Sequence, residues 1–253
     1  MREAVTAKLS SWQKSGWHGR DRYDGLIAGR SAVIVVPPGG NDNRWAWRPE
    51  FFDAFPNADV GIVERGMYLA FIAMNDHYGS PKGLMLGEHL YRFMTETLSL
   101  SATPAVIGLS RGGLTAYNWA VQYPERVSCI YVDAPVCDFK SWPGGKGKGP
   151  GSFADWQKLM AVYGFKNEAE AIAYRGNPVD NAETIARAKI PVLHVAGDAD
   201  ETVPIDENTH EMVRRLREAG GNVEVIVKPG VKHHPHGLDD PKPIVDFVLK
   251  NSR

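Results

Sequence analysis

Cysteine is scarce: the 253-residue chain holds two, Cys129 and Cys137. They form no C-x-x-C pair, so neither a disulfide framework nor a thiolate metal site is expected. Cys129, inside the apolar run 128–131, reads as a small buried hydrophobe. A surplus of charge is missing too. Lys plus Arg number 29 and Asp plus Glu 30, for a net charge of -1. Without a cationic surface, neither nucleic acid nor an anionic membrane is an expected partner. No uninterrupted apolar run approaches the roughly 18 residues of a membrane span. The opening segment MREAVTAKLSSWQKSGW lacks an apolar stretch of signal-peptide length. As written, the chain reads as cytoplasmic; a trimmed chain would read as secreted or periplasmic. Internal repeats are absent, and nothing sets the oligomeric state.

What is present is alternation. At 43% hydrophobic and 23% charged, the chain suits one large domain over residues 1–253. Short β-branched runs at 31–37, 68–74, 104–109, 128–133, 191–196 and 222–228 predict strands. Most are apolar throughout, as strands covered on both faces are. Between them, helical spacing occupies 84–98, 113–122, 207–219 and 244–250. This alternation predicts an α/β fold with a mainly parallel twisted sheet and helices on both faces. Residues 17–29, with the turn-like Tyr23-Asp24-Gly25, suggest an antiparallel edge hairpin. The interval between 133 and 191 exceeds a simple crossover and predicts a small helical cap at about 138–188. A surface excursion without a catalytic role is the other possibility.

The strongest motif is Gly108-Leu109-Ser110-Arg111-Gly112-Gly113, set where a strand ends and a helix begins. A G-x-S-x-G at such a junction is a nucleophile elbow. The turn is sharp enough that a side chain two positions to either side of the serine would clash, and glycine removes the clash. The serine then stands before a helix N-terminus, whose N–H groups favour an oxyanion. A serine hydroxyl needs a base, and the base an orienting acid. The acid candidates are Asp198 and Asp200, after the run 191–196. The base candidates are His233, His234 and His236, after the run 222–228.

These motifs, in this order, resemble the α/β-hydrolase superfamily over nearly the whole stretch 31–250. The resemblance implies an α/β-hydrolase fold and a Ser–Asp–His triad. A G-x-x-D-x-x-V-P stretch commonly carries the acid there. Gly197, Asp200, Val203 and Pro204 fill its places, so Asp200 is implied over Asp198. The histidine usually follows P-G-x-G-H, which Pro229 to His233 match except at Lys232, so His233 is implied. His234 and His236 are rivals; His236-Gly237-Leu238 is similar to the H-G-F ending of some acetyl esterases. Serine rather than aspartate at the elbow disfavours epoxide opening and dehalogenation. The fold places the oxyanion hole at the backbone N–H of Arg111 and at a second N–H in the loop 38–48, with Gly40 or Asn41 as the positional expectation.

The pocket is less defined. Trp45, Trp47 and Trp142 either hold a substrate face or plug the core, and Arg48 adds hydrogen-bond donors. The Arg111 side chain either meets a substrate carboxylate, as the glucuronoyl esterases' similar elbow suggests, or bridges a nearby acid. The run GGKGKGPG lacks the Lys-Ser or Lys-Thr of a phosphate loop. His233, His234 and His236 are too close on one turn to be expected to converge on a metal. His194 reads as a hydrogen-bonded core residue. No metal or cofactor is implied. The expected function is cleavage of a small-molecule carboxylic ester with a small acyl group, possibly on a carbohydrate. A peptidase or carbon–carbon hydrolase with the same triad is the alternative, and a non-catalytic binding protein a remote third.

Overall fold

The computed structural model describes residues 1–39 and 42–253. The strands are β1 (Gln13–Trp17), β2 (Arg20–Ile27), β3 (Arg30–Val36), β4 (Trp45–Trp47), β5 (Tyr68–Ile72), β6 (Ala105–Leu109), β7 (Cys129–Asp133), β8 (Val192–Gly197) and β9 (Val223–Lys228). Among the described residues they form one sheet in the order β1-β2-β3-β5-β4-β6-β7-β8-β9. The β1, β2, β3 and β5 pairings are antiparallel; from β5 through β4 to β9 every pairing is parallel. The six apolar runs of the sequence lie on β3 and on β5 to β9. The edge hairpin exists, but it turns at His18-Gly19. Tyr23-Asp24-Gly25 lies inside β2, paired with Ile34, Val33 and Ala32.

Helices cover both faces, as the parallel part of the sheet requires. They are α1 (Arg2–Lys8), α2 (Asn57–Glu64), α3 (Pro81–Arg92), α4 (Gly112–Gln122), α5 (Phe153–Tyr163), α6 (Glu168–Ala173), α7 (Ala182–Arg187), α8 (Glu211–Glu218) and α9 (Lys242–Asn251). The period of two along each strand divides the core. Ile34 and Val36 join Leu90 of α3, Tyr117 of α4, Ile185 of α7 and Leu216 of α8. Val33 and Val35 join Ile62 of α2 and Val248 of α9 on the opposite face. This is the α/β-hydrolase fold. Cys129 and Cys137 are free and buried, and burial pushes the Cys129 thiol up to about 12. No helix among the described residues is long and apolar enough to cross a membrane.

Between β7 and β8 the chain forms α5, α6 and α7. Phe139, Trp156, Leu159 and Ala171 make a third apolar cluster there with Tyr78, Leu114 and Val203. The first two helices of this interval start at side-chain caps: Ser152 accepts from the Asp155 N–H, and Asn167 from the Glu170 N–H. The fold brings the strand ends level, since Leu109 pairs with Asp133 and Asp133 with Val195. The chain leaving β6, β7 and β8 therefore emerges at one edge of the sheet, where ligands of open α/β sheets bind.

Candidate active site

The elbow is a strained turn of the kind its glycines foretell. Ser110 has φ +49, a left-handed conformation that costs a non-glycine residue on the order of 1 kcal/mol or more. Its backbone is tied on both sides: its N–H donates to the Asp133 carbonyl at 2.9 Å, and its carbonyl accepts from the Val136 N–H at 2.9 Å. A Cβ on Gly108 would stand 2.8 Å from the Gly112 carbonyl oxygen, and one on Gly113 would stand 2.7 Å from the Pro135 Cβ. Against the expected clash two positions after the serine, a Cβ on Gly112 would make ordinary contact with the Glu50 side chain, at 3.4 and 3.8 Å. The tight glycines are therefore Gly108 and Gly113.

Three residues from three strand ends form a hydrogen-bonded chain. Ser110 Oγ lies 2.9 Å from His233 Nε2, and His233 Nδ1 lies 2.7 Å from Asp200 Oδ2. The other Asp200 oxygen accepts from the Thr202 and Val203 N–H groups, each at 2.9 Å. Asp200 is 7% exposed and His233 9%, so the pair is nearly dry and oriented from behind. Asp198 does something else: it accepts from the Gly230 N–H at 2.6 Å and so anchors the turn that begins the histidine loop. That loop crosses β8 closely. A Cβ on Gly197 would lie 2.0 Å from the Val231 carbonyl oxygen, so glycine at this strand end lets His233 reach Ser110.

The other imidazoles are part of the same place. His236 Nδ1 lies 2.7 Å from Asp133 Oδ1, and Asp133, at the end of β7, is fully buried. His234 is exposed and stacks on Phe55, with centroids 5.4 Å apart. Burial, followed by the neighbouring His236 and His233, lowers the His234 pKa. Contrary to the sequence expectation, the three imidazoles do converge: their ligand-type nitrogens lie within 4.8 Å of one another. His194 is elsewhere, buried and hydrogen-bonded to Tyr117 Oη at 2.5 Å. Burial lowers its pKa to about 3, so it stays neutral.

Several expected pocket residues are not at the site. Trp45 and Trp47 are 0% and 1% exposed, because they form β4, inserted between β5 and β6 with both faces covered. Trp45 donates its indole N–H to the Ser101 carbonyl at 2.8 Å, and Trp47 packs edge-on against Trp119. Trp142 is half-buried against the third apolar cluster. Arg48 is 1% exposed and pairs with buried Asp59. Its remaining N–H groups donate to the carbonyls of Glu50, Phe51 and Ala54 at 3.0, 3.0 and 2.7 Å. Arg48 thus organises a loop instead of meeting a substrate. That loop holds Phe51, Asp53 and Phe55 at φ +54, +68 and +52, and three carbonyl contacts to one guanidinium offset part of that strain.

This loop, which follows β4, is what reaches the nucleophile. Phe51, Ala54 and Phe55 line a cavity of about 150 Å³ together with Leu109, Ser110, His233, His234 and His236. An open groove of about 710 Å³ adjoins it, sharing Phe55 and His236. The loop 38–48 instead leads into β4. Gly40 and Asn41, the residues expected to give the second oxyanion N–H, lie outside the described residues. Residues 49–55 had no helical or strand period to mark them; the aromatic cluster Phe51, Phe52 and Phe55 was the available signal.

Arg111 is committed to acids. Its guanidinium lies 3.1 Å from Asp76, 3.3 Å from Glu50 and 3.5 Å from Asp155, over the rings of Phe51 and Tyr78. Burial of Glu50 outweighs the attraction of Arg111 and raises its carboxyl to about 7. The bridge, not a substrate carboxylate, is what the Arg111 side chain serves. Its backbone N–H remains at the start of α4, directly after Ser110.

Comparison with known proteins gives the family and the fold. The sequence signature of the prolyl oligopeptidase family matches residues 93–251, a stretch containing Ser110, Asp200 and His233. Acylamino-acid-releasing enzyme 2 of Oryza sativa subsp. japonica is 29% identical over 138 residues, 51% of this chain and 17% of that protein. This chain thus spans about a sixth of that relative's length. Porphyromonas gingivalis dipeptidyl peptidase 4 superposes with a TM-score of 0.69 at 14% identity, covering 97% of this chain and 37% of that one. A puromycin hydrolase superposes with a TM-score of 0.63 at 17% identity, covering 94% and 37% respectively. At those identities the structural likeness bears on fold alone.

Proposed function

We propose, from the premise that this chain belongs to the prolyl oligopeptidase family of serine hydrolases, that it is a peptidase cleaving an amide bond beside a small apolar residue of a short peptide. The observation carrying the hydrolase part of this reading is the unbroken hydrogen-bond chain from Ser110 through His233 to Asp200; the family match supports the amide bond as its target. In this reading His233 Nε2 takes the Ser110 proton as Oγ attacks the carbonyl. Asp200 holds the imidazole and stabilises its cation. The oxyanion meets the Arg111 N–H and an N–H from the loop 49–55. His233 then protonates the leaving amine, and a water activated by the same imidazole releases the acyl group.

The cavity beside Ser110 supports an apolar substrate residue. About 150 Å³ is the scale of a site that holds one benzene-sized group, and Phe51, Ala54, Phe55 and Leu109 give it apolar walls. The adjoining groove offers space for further residues of an extended chain. The relatives' names, an acylamino-acid-releasing enzyme and a dipeptidyl peptidase, also support a peptide-like substrate. The carbohydrate-ester expectation rested on Trp45, Trp47, Trp142, Arg48 and the Arg111 side chain, and none of them lines this cavity.

The test is a panel of fluorogenic amides, with free and acylated N-termini and graded apolar residues, beside chromogenic esters and acetylated sugars. Amide turnover by the native chain, lost in Ser110→Ala, is the expected result. Turnover of acylated sugars with no amide turnover overturns the peptidase reading.

A further inference from the structure

Sequence spacing argued against a metal among the histidines after β9, and the folded loop argues the reverse. The ring centroids of His233, His234 and His236 are 4.8, 5.0 and 4.8 Å apart. Their nearest ligand nitrogens lie within 4.8 Å of one another. A tetrahedral zinc ion with Zn–N bonds of 2.0–2.1 Å needs nitrogens about 3.3 Å apart. His234, the exposed member of the three, is the ring with no hydrogen bond among the described residues to hold it in place.

The rear side of the cluster is already built. His233 Nδ1 is held by Asp200 and His236 Nδ1 by Asp133, each at 2.7 Å. A carboxylate behind a ligating imidazole fixes its tautomer, turns Nε2 outward and raises its basicity. Both carboxylates are buried, and among the described residues Lys228 Nζ, 3.9 Å from Asp133, is the one Lys or Arg cation within 4 Å of either. Three imidazoles with no carboxylate in direct contact select zinc-, copper- or nickel-like ions over magnesium or calcium.

We propose that His233, His234 and His236 form a binding site for a zinc-like divalent ion, and that its occupancy switches the hydrolase off. The inhibition rests on the reading of His233 as the base. The ion takes the Nε2 lone pair of His233, while Ser110 keeps its proton and loses its acceptor at 2.9 Å. No bond is broken, so removal of the ion restores the site. A fourth coordination position stays open to water.

Binding and inhibition are tested separately. In the full chain carrying Ser110→Ala, which removes no ligand, zinc is titrated by calorimetry and cobalt by visible absorption. Adding His234→Ala, at an exposed position that leaves the core intact, is expected to weaken zinc binding by about tenfold or more, the loss that even outer-shell changes produce. Equal zinc affinity with and without His234 overturns the site. Magnesium binding as tight as zinc binding overturns it as well. In the native chain, zinc is expected to block fluorophosphonate labelling of Ser110, and a chelator to restore it. Zinc bound in calorimetry with labelling unchanged overturns the switch. Labelling requires no knowledge of the substrate, so failure of the peptidase reading leaves both arms decisive.

Discussion

Two aspartate–imidazole pairs stand side by side at the edge of the sheet, and only one meets a nucleophile. Asp200–His233 and Asp133–His236 each have a buried carboxylate near the end of a parallel strand and an Nδ1···O distance of 2.7 Å. Each aspartate's other oxygen accepts backbone N–H groups: Thr202 and Val203 for Asp200, Gly237 for Asp133. Tyr131 Oη also donates to Asp133 at 3.2 Å. The difference lies at Nε2. His233 faces Ser110 Oγ, whereas the His236 ring meets Phe55 edge-on. A dyad is thus a local hydrogen-bonding solution that the fold uses twice, and position relative to the elbow decides which copy carries chemistry.

The most severe way to break this comparison is to remove the groups that distinguish it. Ser110→Ala and His233→Ala are each expected to lower kcat/KM by about 10³-fold or more, read on whichever fluorogenic amide turns over fastest. His236→Ala should leave measurable turnover. An active His233 variant beside an inactive His236 variant would exchange the roles of the two dyads.

Next comes Asp200→Asn, expected to cost about 10²- to 10⁴-fold in kcat by misorienting the imidazole. Asp133→Asn should instead act on stability, by about 1–3 kcal/mol for a buried acceptor network left incomplete, measured by chemical denaturation. Equal kinetic losses in the two variants would mean that the dyads work as one unit.

Glu50 is a third buried carboxylate, and it sharpens the contrast because its partner is a guanidinium and its pKa is raised. With a folded value of about 7, above the ordinary carboxylate range, the folded state holds the extra proton. The resulting stability is fully present below pH about 4.5 and is lost as pH rises through 7. The loss is on the order of 3 kcal/mol as an upper bound. Denaturation midpoints from pH 5 to 8 should fall less steeply in Glu50→Gln than in the native chain. Parallel slopes would show that Glu50 is already ionised in the folded protein.

The smallest expected effect is that of Asp198→Asn, a few-fold at most in kcat. Asp198 touches the Gly230 N–H rather than an imidazole, and asparagine retains an acceptor there. A loss matching that of Asp200→Asn would mean that anchoring the histidine loop matters as much as orienting the base.

What the sequence by itself determined is what depends on neighbouring residues. The apolar runs declare β3 and β5 to β8 because residues covered on both faces must be apolar whatever packs on them; β9, half-exposed at the sheet edge, is declared by its β-branched residues instead. The elbow is legible because its strain is local: Gly108 and Gly113 stand where a Cβ has no room. The resemblance of the stretch from Gly197 to Pro204 to the superfamily's acid motif implied Asp200, the aspartate that meets His233, over Asp198. Tertiary structure decided the rest. Three-residue β4 is too short for any periodicity to reveal, so Trp45 and Trp47 resembled loop aromatics until insertion between β5 and β6 buried them. Residues 49–55 have no period at all; Arg48, clamped to Asp59 and three carbonyls, gives them their shape. Asp133 meets His236 across 103 positions of sequence, and the three histidines converge only because the loop after β9 folds back over Gly197. Contacts at that range depend on loop closure and on space left by distant side chains, which local residue patterns do not encode.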